Sequence, residues 1–409
     1  MLSTLEVLNR SFNTVSTRTT PREKRSSTMN KVFILGGLRS HIGIRNGIFK
    51  ATLPETLGAE ILKELVRRYQ LHGIDQIICG NVIGTGGNIG RLAALKAGIP
   101  EEIPTFTLDS QCASGLTAID LGFSKIKSGQ CDLIIAGGIE STSLKPRRFY
   151  HENDIRYTPE KQEYECAQFS PEEYRDDAMI LGAERVAAKE NIPRSEMDRW
   201  TLISHQKAMK TRQEGIFSEF IRPIAGSTKD EAIRRGMSEK LAERAPAVSV
   251  YPNGVVTAAN ACTTNDGAAF VVLCSEKWLH QSGLTPQGEI LDGALVGCHP
   301  LYPPLAAELA TQALLKKTAL KDHDIDAFEY NEAFGVIDVL FERQHPDLLD
   351  RYNRFGGALA YGHPYGASGG IIFLHLLKSL EVSNGTYGIA TIAAAGGIGQ
   401  SILIRKIKP

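Results

Sequence analysis

The chain has 409 residues, which is too long for one small core and suits two or three packed units. Lys plus Arg and Asp plus Glu both number 46, so the formal net charge is zero and no nucleic-acid partner is indicated. No run of about 18 apolar residues occurs, so no membrane span is predicted. Seven scattered cysteines without a CxxC pair predict a reducing compartment and neither a zinc site nor a disulfide framework.

Residues 1–29 differ in composition from the rest of the chain. The first 28 contain eleven Ser or Thr and five Lys or Arg against two Glu. Such a leader can be an organelle transit peptide. We favour a disordered tail or a start codon that was assigned too early, because Met29 directly precedes the first predicted strand. The predicted location is therefore cytoplasmic, with organelle targeting by residues 1–28 as the less favoured alternative.

Strand and helix signals alternate in the first part of the chain. VFILGG, IDQIICG, FTLDS and DLIIAGG are short apolar runs typical of buried strands, and helical patterns lie at 55–71 and at about 113–127. This alternation predicts a parallel or mixed sheet with helices on its faces. Residues 145–249 are rich in charge and have few strand signals, so we predict an inserted, mainly helical lobe there.

The second half of the chain repeats a pattern of the first. CASGLTAIDLGFSKI followed by DLIIAGG resembles GASGGIIFLHLLKSL followed by GIATIAAAGG. A self-match of this kind predicts two similar α/β halves related by a pseudo-twofold axis. The predicted units are a leader, an N-terminal half in two pieces, a loop domain and a C-terminal half. Their bounds are 1–29, then 30–144 with 250–285, then 145–249, and last 286–409.

Cys112 lies between the predicted strand FTLDS and the helix that comes after it. A thiol at a helix N-terminus meets unpaired N–H groups and the helix dipole, which favour an anion. This position predicts a lowered pKa and a nucleophilic thiolate. From local context alone, a small packed core residue explains Cys112 equally well.

Two further segments carry polar groups of the kind that take part in acid–base catalysis or polarise a carbonyl. His363 lies in a loop with several glycines, where a neutral imidazole can take a proton from a thiol. Asn331 begins NEAFG at a predicted strand end, where its amide can position water or polarise a carbonyl. Asn and Glu are also common in turns, so NEAFG by itself is a weak signal.

Together these segments resemble the thiolase family over nearly all of residues 30–405. SQCASGLTA resembles its nucleophile motif, AGGIESTS its AGGMESMS stretch, and NGVVTAANACTTNDGAA its GTVTAGNASGINDGAA segment. NEAF and GGALAYGHPYGASG match almost letter for letter, and SEMDRWTLISHQKA and FSEFIRPI resemble parts of the CoA-binding loop domain. The motifs occur in the family's order, so we identify the chain as resembling this family.

The resemblance implies a five-layer αβαβα fold, a homodimer or homotetramer, and CoA thioesters as substrates with no separate cofactor. It implies that Cys112 carries the acyl group and that His363 accepts its proton. A water held by Asn331 would help to form one oxyanion site, and backbone N–H groups, including that of Cys112, would form the other. The positions implied to lie near bound CoA are Cys262, Ala261, Ser368 and Gly396. No metal, NAD or ATP motif is present.

The chain departs from the family where a second catalytic cysteine is expected. The family's CxGGG motif reads AAAGG here, with Ala393 at the cysteine position and Ala395 at the first glycine. Three hypotheses stay open. The chain is a thiolase with another proton-transfer group, for which Cys262 and Cys298 are candidates. It is a Cys-His-Asn acyltransferase or a decarboxylative condensing enzyme. Or it is a catalytically impaired CoA-binding partner subunit.

Overall fold

The computed structural model describes residues 30–171, 176–249, 251 and 253–407, and the predicted leader lies outside these ranges. The described strands are β1 (Val32–Arg39), β2 (Gly43–Ile44), β3 (Gln76–Gly80), β4 (Thr105–Leu108), β5 (Leu133–Glu140), β6 (Arg148–Phe149), β7 (Glu163–Tyr164), β8 (Asn265–Ser275), β9 (Gly288–Gly297), β10 (Ala327–Tyr330), β11 (Tyr387–Ala394) and β12 (Ile398–Lys406). The described α-helices are α1 (Pro54–Tyr69), α2 (Ile89–Lys96), α3 (Ser114–Lys127), α4 (Ala178–Lys189), α5 (Arg194–Glu214), α6 (Glu239–Arg244), α7 (Glu276–Ser282), α8 (Leu305–Thr318), α9 (Gly335–Gln344), α10 (Ala358–Tyr361) and α11 (Tyr365–Ser383).

A mixed sheet crosses the whole molecule in the order β10-β11-β12-β9-β1-β8-β5-β3-β4, with β2 beside β8. The pairs β3–β4, β3–β5 and β10–β11 are parallel, and the others on this path are antiparallel. Among the described residues, the N-terminal and C-terminal strands join between β1 and β9 alone, over three residue pairs from Val32 to Ile34. This short junction separates the two halves that the sequence repeat predicts.

Two helices form the middle layer of the molecule. Helices α3 and α11 pack against each other, and each contacts strands of both halves. Helices α1 and α2 cover the outer face of the N-terminal strands, and α8, with α9 against it, covers the C-terminal strands. The layers therefore run αβαβα, which confirms the predicted fold class.

The composition of α11 explains its central place. Most of its residues are apolar or small, and it is buried on nearly all sides, as expected for a helix without a polar face. Its glycines also allow close contact, because a Cβ on Gly369 would lie 2.0 Å from the backbone nitrogen of Leu116 in α3. The N-terminal ends of the two helices are thus packed directly together.

The segment 145–249 contains the short hairpin β6–β7 and the helices α4, α5 and α6. Ala183, Val186 and Trp200 of this segment share a core cluster with Phe328 and Phe341 of the C-terminal half. The segment therefore packs onto the α/β core through an apolar face. Its bounds as a separate loop domain stay a prediction.

Candidate active site

Cys112 lies in a tight turn between β4 and α3. Gln111, just before it, has the left-handed φ of 57°, which is uncommon for a residue other than glycine. The Asp109 carboxylate accepts a hydrogen bond from the Gln111 N–H at 2.7 Å, and the Ser114 hydroxyl donates to the Gln111 carbonyl at 2.6 Å. Ser114 also accepts from the Ser110 N–H at 2.9 Å. These bonds hold the strained turn that presents Cys112 at the start of α3.

The predicted lowering of the Cys112 pKa is wrong. The side chain is only 8% exposed, and burial raises the thiol pKa to about 12. Hydrogen bonds from the backbone N–H groups of Ala395 and of Cys112 itself act in the opposite direction but do not outweigh the lost solvation. Cys112 therefore rests as a neutral thiol and needs a base when it reacts.

His363 is the base that the fold places nearby. It is 1% exposed, and burial lowers its pKa to about 3, so the imidazole is neutral. Its Nδ1 lies 2.6 Å from the Ser368 hydroxyl, which itself donates to the Pro364 carbonyl at 3.0 Å. When Ser368 donates to Pro364 it accepts from Nδ1–H, and in this tautomer the lone pair is on Nε2.

Asn331 faces the Nε2 side of this imidazole. It directly follows β10, as predicted, and its backbone N–H donates to the Thr391 carbonyl at 3.0 Å. Its side-chain Nδ2 lies 3.3 Å from His363 Nε2, so the amide is next to the nitrogen that is to take the thiol proton. The structure thus brings Asn331 and His363 together, while the role of Asn331 in holding a water stays a prediction.

The turns that carry Cys112 and His363 meet at the packed ends of α3 and α11. A Cβ on Gly115 would lie 2.6 Å from the Gly366 carbonyl oxygen, so the two turns are in backbone contact. The Tyr365 ring stands edge-on to the His363 ring, with centroids 4.9 Å apart. The turns that carry Cys112 and His363 are therefore neighbours in the fold, although the two residues are 251 positions apart in the sequence.

Ala393 lies near the end of β11, opposite Gly399 of β12, and is buried. Its methyl group supplies no proton donor or acceptor at this position. Two residues after Ala394 the chain turns through Gly396 and Gly397, both with positive φ. The N–H of Ala395, just before this turn, points to the Cys112 sulfur. The sequence indicated Ala395 only as a departure from the family and gave no sign that its backbone supplies a donor.

The four positions predicted near CoA have different surroundings. Cys262 is partly exposed, and its thiol and that of Cys112 are close enough to influence each other electrostatically. Ala261 pairs with Phe334, and Gly396 faces the loop after β7, where a Cβ would lie 3.4 Å from the Phe169 carbonyl oxygen.

Ser368 differs from the other three positions. It is only 2% exposed, and both hydrogen bonds of its hydroxyl stay within the protein. The structure therefore gives Ser368 the role of orienting His363. The contacts of all four positions with CoA stay predictions.

Glu140 is a further residue of the site, and the sequence motifs did not single it out. It ends β5 inside the AGGIESTS motif and is fully buried. Its carboxylate accepts hydrogen bonds from the backbone N–H groups of Gly366 and Val82, both at 3.1 Å, and from the Asn81 side chain at 3.0 Å. Burial raises its pKa to about 7. The sequence signal that would have identified it is an acid at the end of an otherwise apolar strand, and the structure shows that this acid holds the His363 turn.

In the part of the chain that the structure describes, no group of three or more His, Cys, Asp or Glu residues is arranged to hold a metal ion. None of the described helices combines the length and apolarity needed to span a bilayer.

Comparison with known proteins gives a consistent result. The family model "Thiolase, N-terminal domain" matches residues 32–277, and "Thiolase, C-terminal domain" matches residues 284–406. YhfS of Bacillus subtilis strain 168, whose name proposes acetyl-CoA C-acetyltransferase activity, is 37% identical over 377 residues, which are 92% of this chain and 99% of YhfS.

Two further proteins extend this comparison. VraB of Staphylococcus epidermidis, named for the same activity, is 34% identical over 92% of this chain and 99% of its own length. The crystal structure of the Bacillus anthracis acetyl-CoA acetyltransferase superposes with a TM-score of 0.85 at 29% identity, over 93% of this chain and 100% of that one.

Proposed function

The chain belongs to the thiolase family of acyltransferases, and from that premise we propose that it catalyses the acetyl-CoA C-acetyltransferase reaction. In this reaction two acetyl-CoA molecules give acetoacetyl-CoA and CoA, or the reverse occurs. Cys112 carries the acyl group as a thioester. The names of the relatives support this choice of substrate. Acyl-CoA and CoA are the partners, and we further propose a cytoplasmic location.

The observation that carries the proposal is the buried, neutral imidazole of His363 with the Ser368 hydroxyl at its Nδ1. As the Cys112 sulfur attacks the thioester carbonyl, His363 takes the thiol proton at Nε2. Ser368 fixes the tautomer by accepting from Nδ1–H at 2.6 Å. Because burial disfavours both a free thiolate and an imidazolium, the proton moves as the sulfur–carbon bond forms.

The oxyanion of this step has two backbone donors available. The N–H groups of Cys112 and Ala395 converge on the sulfur, and therefore on the space beside the carbon that it attacks. Preorganised donors of this kind are worth roughly 3 kcal/mol each. Collapse of the tetrahedral intermediate expels the CoA thiolate, which leaves acyl-Cys112.

A second candidate function is suggested by Ala393. Condensation of two acetyl-CoA molecules needs a base for the C2 proton of the second one, and a methyl group cannot serve. A Cys-His-Asn enzyme that transfers acyl groups, or that forms its carbanion by decarboxylation, needs no such base. This candidate shares the formation of acyl-Cys112 with the thiolase reaction, and the two differ only in how the acyl group then leaves the cysteine.

Thiolysis of acetoacetyl-CoA by free CoA tests the two candidates, with Cys112→Ser as the control. Turnover that depends on Cys112 supports the thiolase reaction. Acetylation of Cys112 by acetyl-CoA without thiolysis supports the second candidate. Acetylation that persists unchanged in the Cys112→Ser protein contradicts both, because the acyl group would then be carried elsewhere.

A further inference from the structure

Thiolase chemistry at this site needs a group that exchanges a proton with C2 of acetyl-CoA, and Ala393 cannot be that group. Besides Glu140, whose carboxylate holds the His363 turn, four titratable side chains on the described segments around the site are candidates for this role. They are Cys166, Cys262, Cys298 and Tyr365.

The polar contacts of the Cys298 thiol lie within its own loop. Its thiol lies 3.7 Å from the His299 carbonyl and 3.8 Å from the Tyr302 carbonyl, so it points into its own loop. Its backbone N–H donates to the Gly397 carbonyl at 2.7 Å. The Cys298 backbone therefore supports the turn after β11, and its thiol is occupied by carbonyls of its own loop.

Tyr365 has the geometry that Cys298 lacks. It follows His363 by two residues and opens α11, so its backbone is held by the same turn as the imidazole. Its ring contacts the His363 ring edge-on, with centroids 4.9 Å apart and planes at 90°. The residue is only partly exposed, and it packs against the core cluster that contains Cys112.

The electrostatic neighbours of Tyr365 locate its phenol group. Four titratable groups lie close enough to raise the pKa of this phenol, in order of effect Cys262, Cys112, Cys166 and Glu140. The phenol is therefore within electrostatic range of the thiols of the site, including the sulfur that carries the acyl group. No hydrogen bond ties up its hydroxyl within the part of the chain that the structure describes.

We propose that Tyr365 is the catalytic proton donor and acceptor for C2 of acetyl-CoA, in place of the thiol that Ala393 lacks. This assignment rests on the proposed thiolase reaction. Burial and the neighbouring thiols raise the pKa of Tyr365, so the phenol is protonated at neutral pH. A neutral acid beside C2 is what protonation of a carbanion requires.

The proton balance closes in the direction of thiolysis. The Cys112 thiol gives its proton to His363 and attacks the 3-keto carbon, the C2–C3 bond breaks, and its electron pair goes to C2. Tyr365 O–H donates its proton to C2, which releases acetyl-CoA and leaves a phenolate. The phenolate takes the proton of the incoming CoA thiol, whose sulfur attacks acyl-Cys112. The imidazolium returns its proton to the departing Cys112 sulfur.

The test separates proton transfer from acyl loading. Wild-type protein in D2O should exchange the methyl hydrogens of acetyl-CoA, monitored by NMR, and should thiolyse acetoacetyl-CoA. Tyr365→Phe keeps the ring contact with His363 and removes only the hydroxyl. We expect both activities to fall by about 10²–10⁴, the usual worth of a general acid or base. Acetylation of Cys112, monitored by intact-protein mass spectrometry, should stay near the wild-type rate.

Two matched variants complete the design. Tyr387→Phe removes a phenol at the other end of β11 and should leave exchange and thiolysis unchanged. Cys262→Ala tests the thiol with the largest electrostatic effect on Tyr365. If Cys262→Ala loses exchange while Tyr365→Phe keeps it, the assignment to Tyr365 is overturned and the thiolase reaction stands. If wild-type protein acetylates Cys112 but neither exchanges nor thiolyses, the proposed function fails and the role of Tyr365 fails with it.

Discussion

At the scale of single residues, burial decides the protonation of the site. Cys112 and His363 are both almost inaccessible to water, and each is more stable neutral than charged. This differs from a preformed thiolate–imidazolium pair, which the start of a helix would favour. A neutral pair protects the thiol from unwanted alkylation and oxidation, since the thiolate is the reactive form.

The raised pKa of Cys112 predicts how alkylation depends on pH. Below a pKa of about 12 the thiolate fraction rises tenfold per pH unit, so alkylation by iodoacetamide should rise steadily from pH 6 to pH 9. Mass spectrometry of the Cys112 peptide measures the rate. Free N-acetylcysteine, run in parallel, should begin to level off near its ordinary thiol pKa of about 8.5. A plateau for Cys112 below pH 8 would contradict the raised pKa.

The Ser368 hydroxyl predicts a second effect, on orientation. Ser368→Ala leaves Nδ1–H of a buried imidazole without its partner, a loss of about 1–3 kcal/mol. Acetylation of Cys112 should therefore slow by about 10-fold to 100-fold in rapid-quench experiments. Ser368→Thr keeps the hydroxyl and should retain most of the rate. Equal rates of acetylation for Ser368→Ala and wild type would contradict the role of Ser368 in orienting His363.

At the scale of elements, the segment 145–249 is tied to the sheet by a buried ion pair. Arg39 at the end of β1 makes two hydrogen bonds of 2.8 Å with the Asp230 carboxylate, and Asp230 also accepts from the Ile42 N–H at 2.7 Å. Arg39 is completely buried. A buried pair of this kind has a fixed geometry, and removal of one partner leaves an uncompensated charge.

This ion pair predicts a large effect on stability. Asp230→Ala should lower the free energy of unfolding by about 3–5 kcal/mol, measured by urea denaturation. The double variant Arg39→Met with Asp230→Leu removes both charges and should lose clearly less. A single variant as stable as wild type would mean that solvent or another acid compensates Arg39.

At the scale of the whole molecule, the sheet has an open edge at β4. This strand ends the strand order of the described residues, next to the turn that carries Cys112, and its Phe106 and Leu108 are only partly buried. Exposed edge strands of this kind are usually covered, often by a second chain. The edge is therefore a natural place for the self-association that the family resemblance implies.

We expect the protein in solution to be a homodimer or a homotetramer. Size-exclusion chromatography with light scattering should give a mass of two or four chains. The reason is that a second chain is expected to cover the edge strand β4 and its partly buried apolar residues. Dilution to nanomolar concentration provides the control for weak association. A monomer throughout the concentration range would contradict the expectation.

Much of this architecture was readable from the sequence. Apolar runs such as VFILGG and DLIIAGG became β1 and β5, and the repeated Ala-Ser-Gly turns before helices became the paired helices α3 and α11. These features are local, because strand and helix periodicity depend on neighbouring residues. The motifs around Cys112, Asn331 and His363 carried the family resemblance for the same reason.

Only the tertiary structure decided the properties that depend on distant residues. The Ala395 N–H that points to the Cys112 sulfur comes from the turn after β11, far away in the sequence. Tyr365 comes near the thiols because α3 and α11 pack together at their N-terminal ends. The predicted lowering of the Cys112 pKa was wrong because the sequence shows that the cysteine precedes a helix but does not show how deeply it is buried. Burial depends on residues from the whole fold, and here it outweighs the effect of the helix terminus. Sequence thus determined which groups this protein has, and packing determined their protonation, orientation and neighbours.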